Sequence, residues 1–197
     1  MRKPPNKRLQ QKRETRLRIV AVTRELIAEQ GLNALKTYEV ASRANIAHGS
    51  VFVHFSDKET LLIHTIEAFG SSLVKQIHKS TESNKGLQIV LETHLNILQQ
   101  NEAFYAALVD GRRLLPDQAA KILLSIQSAV SFHIAKSAEK GMKEGIIKVI
   151  PAHLLFNTWL GLVHYYLTNR ELFSPGRSVL SEKGEELITH FMNLVRH

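Results

Sequence analysis

Apolar residues recur along most of this chain with the three-to-four-residue period of a helix. Over residues 15–30, Ile19, Val20, Thr23, Leu26 and Ile27 fall on one stripe, and Gly31 follows where a left-handed C-cap is wanted. Residues 37–44 suit a short helix with Thr37 as N-cap and Glu39 in its first turn. From Lys58 to about Ser80, Leu62, Ile66, Phe69, Leu73 and Ile77 keep the period. Leu87, Val90, Leu91, His94, Leu95 and Leu98 form the next stripe, and residues 102–111 carry Phe104, Tyr105, Leu108 and Val109. Pro116 and Asp117 open a long segment with Leu123, Ile126, Val130 and Ile134 on one face, ending near Gly141 or Gly145. Pro151 starts AHLLFNTWLGLVHYYL, which SPGRS interrupts, and Leu187, Ile188, Phe191, Leu194 and Val195 stand in register near the end. The pattern predicts an all-α protein.

One run points the other way. Val51-Phe52-Val53-His54-Phe55 has the β-branched and aromatic content of a strand. A lone strand among helices would leave its backbone groups unpaired. Helical wrapping instead puts Val51 and Phe55 on one face and turns Ser50, Val53 and His54 elsewhere, so the segment is predicted to be a short helix at about 48–54.

Two short helices, 37–44 and 48–54, are then joined by Asn45-Ile46-Ala47. A turn of that length sets two helices at a steep angle and lets the second protrude. In a helix-turn-helix, the first residues of the second helix meet base edges in the major groove. Here these are His48, Gly49 and Ser50. Charge supports a polyanionic partner: the formal net charge of +8 lies in residues 1–24, which hold nine Lys/Arg and one Glu, while the remaining 17 Lys/Arg and 17 Asp/Glu cancel.

With these residues in view, positions 18–62 resemble the DNA-binding domain of the TetR family of bacterial transcriptional repressors. The resemblance runs through Gln30-Gly31-Leu32, Thr37, Val40-Ala41, Ala44, the stretch Ile46 to Phe52, His54-Phe55, and Asp57-Lys58-Glu59-Thr60-Leu61. It implies that Thr37 and Lys58 contact phosphates, that Tyr38 can reach a base, and that His48, Gly49 and Ser50 occupy the recognition positions. Lys36, Phe52 and His54 complete the expected DNA-binding set. Two positions depart from the family: Asn45 stands where Gly is usual, and Asn tolerates the left-handed region. Phe52 stands where Tyr is usual, which removes a hydroxyl able to bond a phosphate.

The resemblance also implies a dimer built from the last two helices. Helix 152–167 is apolar nearly all round and must be covered on more than one side. The expected interface is Phe156, Leu160, Leu187, Phe191 and Leu194. A largely apolar cavity for a small effector is expected from His94, Leu98, Phe104, Tyr105, Ile126, Val130, His133, Trp159 and Tyr166. The expected organisation is a basic tail (1–14), a three-helix DNA-binding domain (15–60) and a helical ligand-binding and dimerisation domain (61–197).

Several classes are excluded or displaced. No cysteine is present, so no disulfide framework or thiolate metal site forms, which suits a cytoplasmic location. No two histidines sit at i, i+4 on one helix, and no metal or cofactor is expected. No apolar run approaches the roughly 18 residues that span a bilayer. No glycine-rich phosphate loop, Gly-x-Ser-x-Gly elbow or His-Glu-x-x-His is found, so an enzyme is not expected. The expected function is a ligand-responsive DNA-binding regulator, a repressor acting as a dimer on double-stranded DNA. The alternatives are a helix-turn-helix factor of chromosome organisation or protein interaction with no effector, and a basic amphipathic helix on anionic membrane.

Overall fold

Helices account for most of the computed structural model, which describes residues 7–83 and 86–197. α1 (Lys7–Ala34), α2 (Thr37–Arg43) and α3 (His48–His54) form the N-terminal unit. The body contains α4 (Lys58–Glu82), α5 (Leu87–Gln99), α6 (Glu102–Asp110), α7 (Asp117–Lys143), α8 (Ala152–Thr168), the short α9 (Arg170–Phe173) and α10 (Val179–Val195). An isolated antiparallel bridge between Ile147 and Arg196 fastens the α7–α8 connection to the end of α10.

The apolar stripes become the core. Leu62, Ile66, Phe69, Leu73 and Ile77 of α4 are all buried, as are Leu87, Val90, Leu91, His94, Leu95 and Leu98 of α5. At about 1.5 Å per residue, the 25-residue α4 is about 37 Å long. It packs along α7 and also touches α1 and α5, so it ties the N-terminal unit to the body. Gly70 permits that close approach: a Cβ there would lie 2.1 Å from Ile126 Cδ1 on α7. α1 also packs on α6, which gives the N-terminal unit a second seat on the body.

Three local expectations are corrected. Gly31 does break the helix, with φ 81°, but a further turn follows it to Ala34. On α1 the buried set is Ile19, Val22, Thr23, Leu26 and Ile27, with Val20 only partly covered, because α4 and α6 flank the stripe from both sides. The basic segment expected as a tail over 1–14 is helical from Lys7; residues 1–6 lie outside the described residues.

Candidate nucleic-acid interface and the helical body

The strand-like run is the helix α3. Val51 and Phe55 are buried, each 1% exposed, whereas Phe52 and Val53 are exposed. Burial of those two apolar side chains against the N-terminal core outweighs the β-preference of five residues. Asn45 takes φ 53° and turns the chain from α2 into α3, with Ile46 N–H donating to Ala41 O at 3.0 Å. The turn therefore has the left-handed residue that its length requires.

His48 and Gly49 open α3 on the surface, and Ser50 is half-buried behind them. His48 Nε2 shares a 3.0 Å hydrogen bond with Thr37 Oγ1, and its ring meets the Phe52 ring edge-on at 5.3 Å. Thr37 is thus the first residue of α2 rather than its N-cap. Lys36 caps in extended conformation (φ −125°, ψ 131°), and the Thr37 hydroxyl is turned to His48. Lys36 also sits over the Tyr38 ring at 5.8 Å, and Tyr38 is 55% exposed. Lys36, Tyr38, His48 and Gly49 therefore form one exposed polar surface across the two short helices.

The far edge of this surface is built by α1 and α4. Asp57 caps α4, accepting from Thr60 N–H at 2.7 Å, and that bond holds its carboxyl below the usual range. Lys58 follows as the exposed first residue of α4. His54 is a correction of a different kind. Its ring is half-buried, its Nδ1 is enclosed without a hydrogen-bond partner, and burial followed by the charges of Lys12 and Arg16 lowers its pKa. It faces α1 rather than the open surface. Arg16, absent from the expected set, donates from Nη1 to the His54 carbonyl and lies 4.2 Å over the Phe55 ring. The signal available for it was a cation one turn before Ile19, in line with the buried stripe.

In the body, the expected cavity residues form a packed interior. Trp159 Nε1 donates to His94 Nδ1 at 3.0 Å, with both residues fully buried. Tyr105 shares a 2.8 Å hydrogen bond with His164, a residue missing from the expected set although it lies on the same apolar helix as Trp159. Burial drives His94 down to about 3 and His164 down to about 4, and raises Tyr105 to about 12. Both imidazoles are therefore neutral at physiological pH. Leu98, Phe104 and Val130 are buried, Phe104 and Tyr105 pack on Phe69, and Ile126 fills the notch over Gly70.

Two members of that set lie apart. His133 sits where α7 faces the end of α4, 5.1 Å from the His78 ring. Tyr166 stacks on Phe173 at 4.2 Å and borders an outer groove of about 650 Å³ between α8 and α10. The expected dimer set is also divided. Phe156, Leu187 and Phe191 are buried within the single chain, Phe191 against Trp159 at 5.3 Å, so a partner cannot take them as its main contacts. Leu160 is half-buried and Leu194 47% exposed. The open face of α8 carries Leu154, Thr158, Gly161 and Tyr165 instead.

Comparison with known proteins finds sequence similarity in the N-terminal part of the chain. Residues 19–65 match the model of bacterial regulatory proteins of the tetR family. The fatty acid metabolism regulator protein of Bacillus subtilis is 26% identical over 94 residues, 46% of this chain and 48% of that protein. A helix-turn-helix transcriptional repressor of Mycobacterium tuberculosis is 28% identical over 93 residues, 47% of this chain and 46% of its own length. The matched segment spans about half the length of these relatives. The fold extends further. FadR of B. subtilis, solved in complex with stearoyl-CoA, superposes with a TM-score of 0.72 at 14% identity, covering 91% of this chain and 99% of its own. FadR of Bacillus halodurans gives 0.74 at 15% identity over 100% of both chains.

Proposed function

From the match of residues 19–65 to the tetR family of bacterial regulatory proteins, we propose that this chain is a TetR-type, ligand-responsive DNA-binding transcriptional regulator, a repressor released by a small, largely apolar effector. The observation that carries the reading is the exposed start of α3, with His48 and Gly49 presented beside Tyr38 and bordered by Lys36 and Lys58. In this reading His48, Gly49, Ser50 and Tyr38 face base edges, while Lys36, Thr37 and Lys58 meet phosphates. Phe52 packs beside them against His48, and His54 supports the end of α3.

The protein would act in the cytoplasm as a dimer on a near-palindromic operator, which matches two recognition helices spaced by one duplex turn or a multiple of it. The open α8 face, with Leu154, Gly161 and Tyr165, and the exposed Leu194 of α10 are the apolar surface that supports a second copy. Residues 15–60 would bind DNA and 61–197 would dimerise and receive the effector. Its apolar character is supported by the aromatic interior around Trp159 and by the stearoyl-CoA held in the FadR structure. Such a ligand can shift the protein only by its differential affinity for two arrangements of α4 and α6.

Selection of bound duplexes from a random library, followed by titration of the selected and random duplexes at one salt concentration, tests the reading. The selected duplex is expected to bind at least about 10³-fold more tightly. His48→Ala and Ser50→Ala should each weaken preference at defined base positions by roughly 1–3 kcal/mol. A ratio near one would sink the proposal.

A further inference from the structure

α1 starts at Lys7, twelve residues before the matched domain begins at residue 19. Residues 7–14 are exposed throughout, so no packing accounts for their helical state. Lysine, arginine, leucine, glutamine and glutamate are good helix formers, and elongating a helix already nucleated against the core needs no new nucleus. The result is a solvent-facing helical spur with Lys7, Arg8, Lys12 and Arg13 against the single acid Glu14, which Gln10 engages at 3.0 Å.

The spur has a defined register. Arg8, Lys12 and Arg16 stand four residues apart on one helical row. Arg16 is bound to the last carbonyl of α3, and the charge of Lys12 is felt by the His54 ring. The row therefore leaves the domain at the edge where α3 ends and α4 begins with Lys58. Eight residues at about 1.5 Å each project about 12 Å. One DNA strand carries a phosphate about every 3.4 Å, so the spur spans three to four phosphates.

Resting on the DNA-binding reading above, we propose that this helical spur grips the phosphate backbone of the duplex flanking each half-site, outside the segment that α3 reads. The flank contributes charge contact without base recognition. Affinity then depends on how much duplex extends past the half-site, whatever its sequence, and the contact is a property of residues 7–14 rather than of the helix-turn-helix.

The experiment compares the selected operator trimmed to its recognised bases with the same operator carrying about ten arbitrary base pairs on each side. The parent protein should bind the flanked duplex at least tenfold more tightly, and hydroxyl-radical footprints should extend three to four nucleotides beyond the half-site. Lys7→Gln/Arg8→Gln/Lys12→Gln/Arg13→Gln keeps helix formers while removing the charge. It should bind the trimmed duplex like the parent and lose the flank advantage. On flanked duplex the slope of log affinity against log salt should fall by up to about 3.6 per protomer, four contacts at about 0.9 each. A parent that distinguishes operator from random duplex but ignores the flanks overturns this inference alone; a parent that makes no such distinction overturns the function on which it rests. Should the fourfold variant fail to fold, Lys12→Gln/Arg13→Gln and the parent footprint decide the matter. Loss of binding to phosphatidylserine vesicles with both duplex affinities unchanged would assign the spur to a lipid surface and refute the proposal.

Discussion

His48 at one end of this molecule and His94 and His164 at the other are kept in opposite conditions. At the N-terminal surface, His48 is exposed, bonded to Thr37 and edge-on to Phe52. In the body, His94 is enclosed and His164 half-buried, each bonded to an aromatic partner and held neutral by burial. The first arrangement leaves polar groups available to an external partner. The second has used its polar groups internally, so an effector that enters there must break or replace bonds already made. A buried donor left without a partner costs about 1–3 kcal/mol, which makes the exchange selective. On the proposed function, one end is preformed for DNA, and the other must rearrange to admit an effector.

The largest test removes the centre of the closed end. Trp159→Ala deletes a fully buried indole that packs on Phe191 and bonds His94. A loss of about 3–5 kcal/mol is expected in urea denaturation, from the cavity and the orphaned imidazole. A cost below about 1 kcal/mol would mean that the interior is already loose there.

Acid sensitivity should differ between the ends as well. The folded-state values of about 3 for His94 and about 4 for His164 lie below the ordinary imidazole value of 6.5. Between these values the unfolded chain binds more protons, so stability falls as pH falls. The contribution is complete above about pH 6.5 and is lost progressively towards pH 4 for His164 and pH 3 for His94. From pH 7 to 5 the loss is roughly 2 kcal/mol for each histidine. His164→Gln, which can still bond Tyr105, should lower the acid slope in parallel urea series. An unchanged slope would place the sensitivity elsewhere.

Next in size is the packing on α7 of α4, the helix that links the two ends. Gly70→Ala would force a Cβ to 2.1 Å from Ile126 Cδ1 and 2.4 Å from its Cγ1. Overpacking of this kind costs about 1–3 kcal/mol. Ile126→Val in the same background should recover part of the loss, and thermal unfolding of the single and double variants would show it. If Gly70→Ala is neutral, α4 and α7 can separate readily, and the body is more open than its packing indicates.

A smaller effect is expected at the turn between α2 and α3. Asn45 holds φ 53°, where an ordinary L-residue is strained by about 1–2 kcal/mol. Asn45→Ala should destabilise by about 1 kcal/mol, and Asn45→Gly should be neutral within that margin. Equal stability of Asn and Ala would show that the turn relaxes out of the left-handed region.

The same contrast explains what could be read in advance. The helical stripes, the turn at Asn45 and the exposed start of α3 depend on neighbours within a few residues, and each was legible in the chain. Partners distant in sequence were not. His164 meets Tyr105 across 59 positions, and Arg16 reaches the His54 carbonyl across 38. Periodicity marks which face is buried but not what that face meets. For that reason Phe156, Leu187 and Phe191 could be placed on apolar stripes, yet their burial inside one chain could not be distinguished from burial between two. His54 failed differently: its helical position was right, but its carbonyl is taken by Arg16 and its ring feels the charge of Lys12, both far back in the sequence.

The smallest expected effect concerns the open end itself. Phe52 is 43% exposed, and its ring lies edge-on to His48. Phe52→Tyr adds a hydroxyl at the rim of the ring, the group that the resemblance to the TetR family leads one to expect there. If that rim faces a phosphate, the new hydrogen bond contributes about 1 kcal/mol, less than a tenfold gain in affinity. Selected and random duplexes should gain alike, because a phosphate carries no sequence information. Two other results would be informative. A change in base preference would place the ring against base edges, beside His48. Weaker binding to both duplexes would mean that the hydroxyl displaces His48 from Thr37, so the edge-on contact holds the recognition surface in shape. Titrations of parent and variant on the two duplexes at one salt concentration separate the three outcomes.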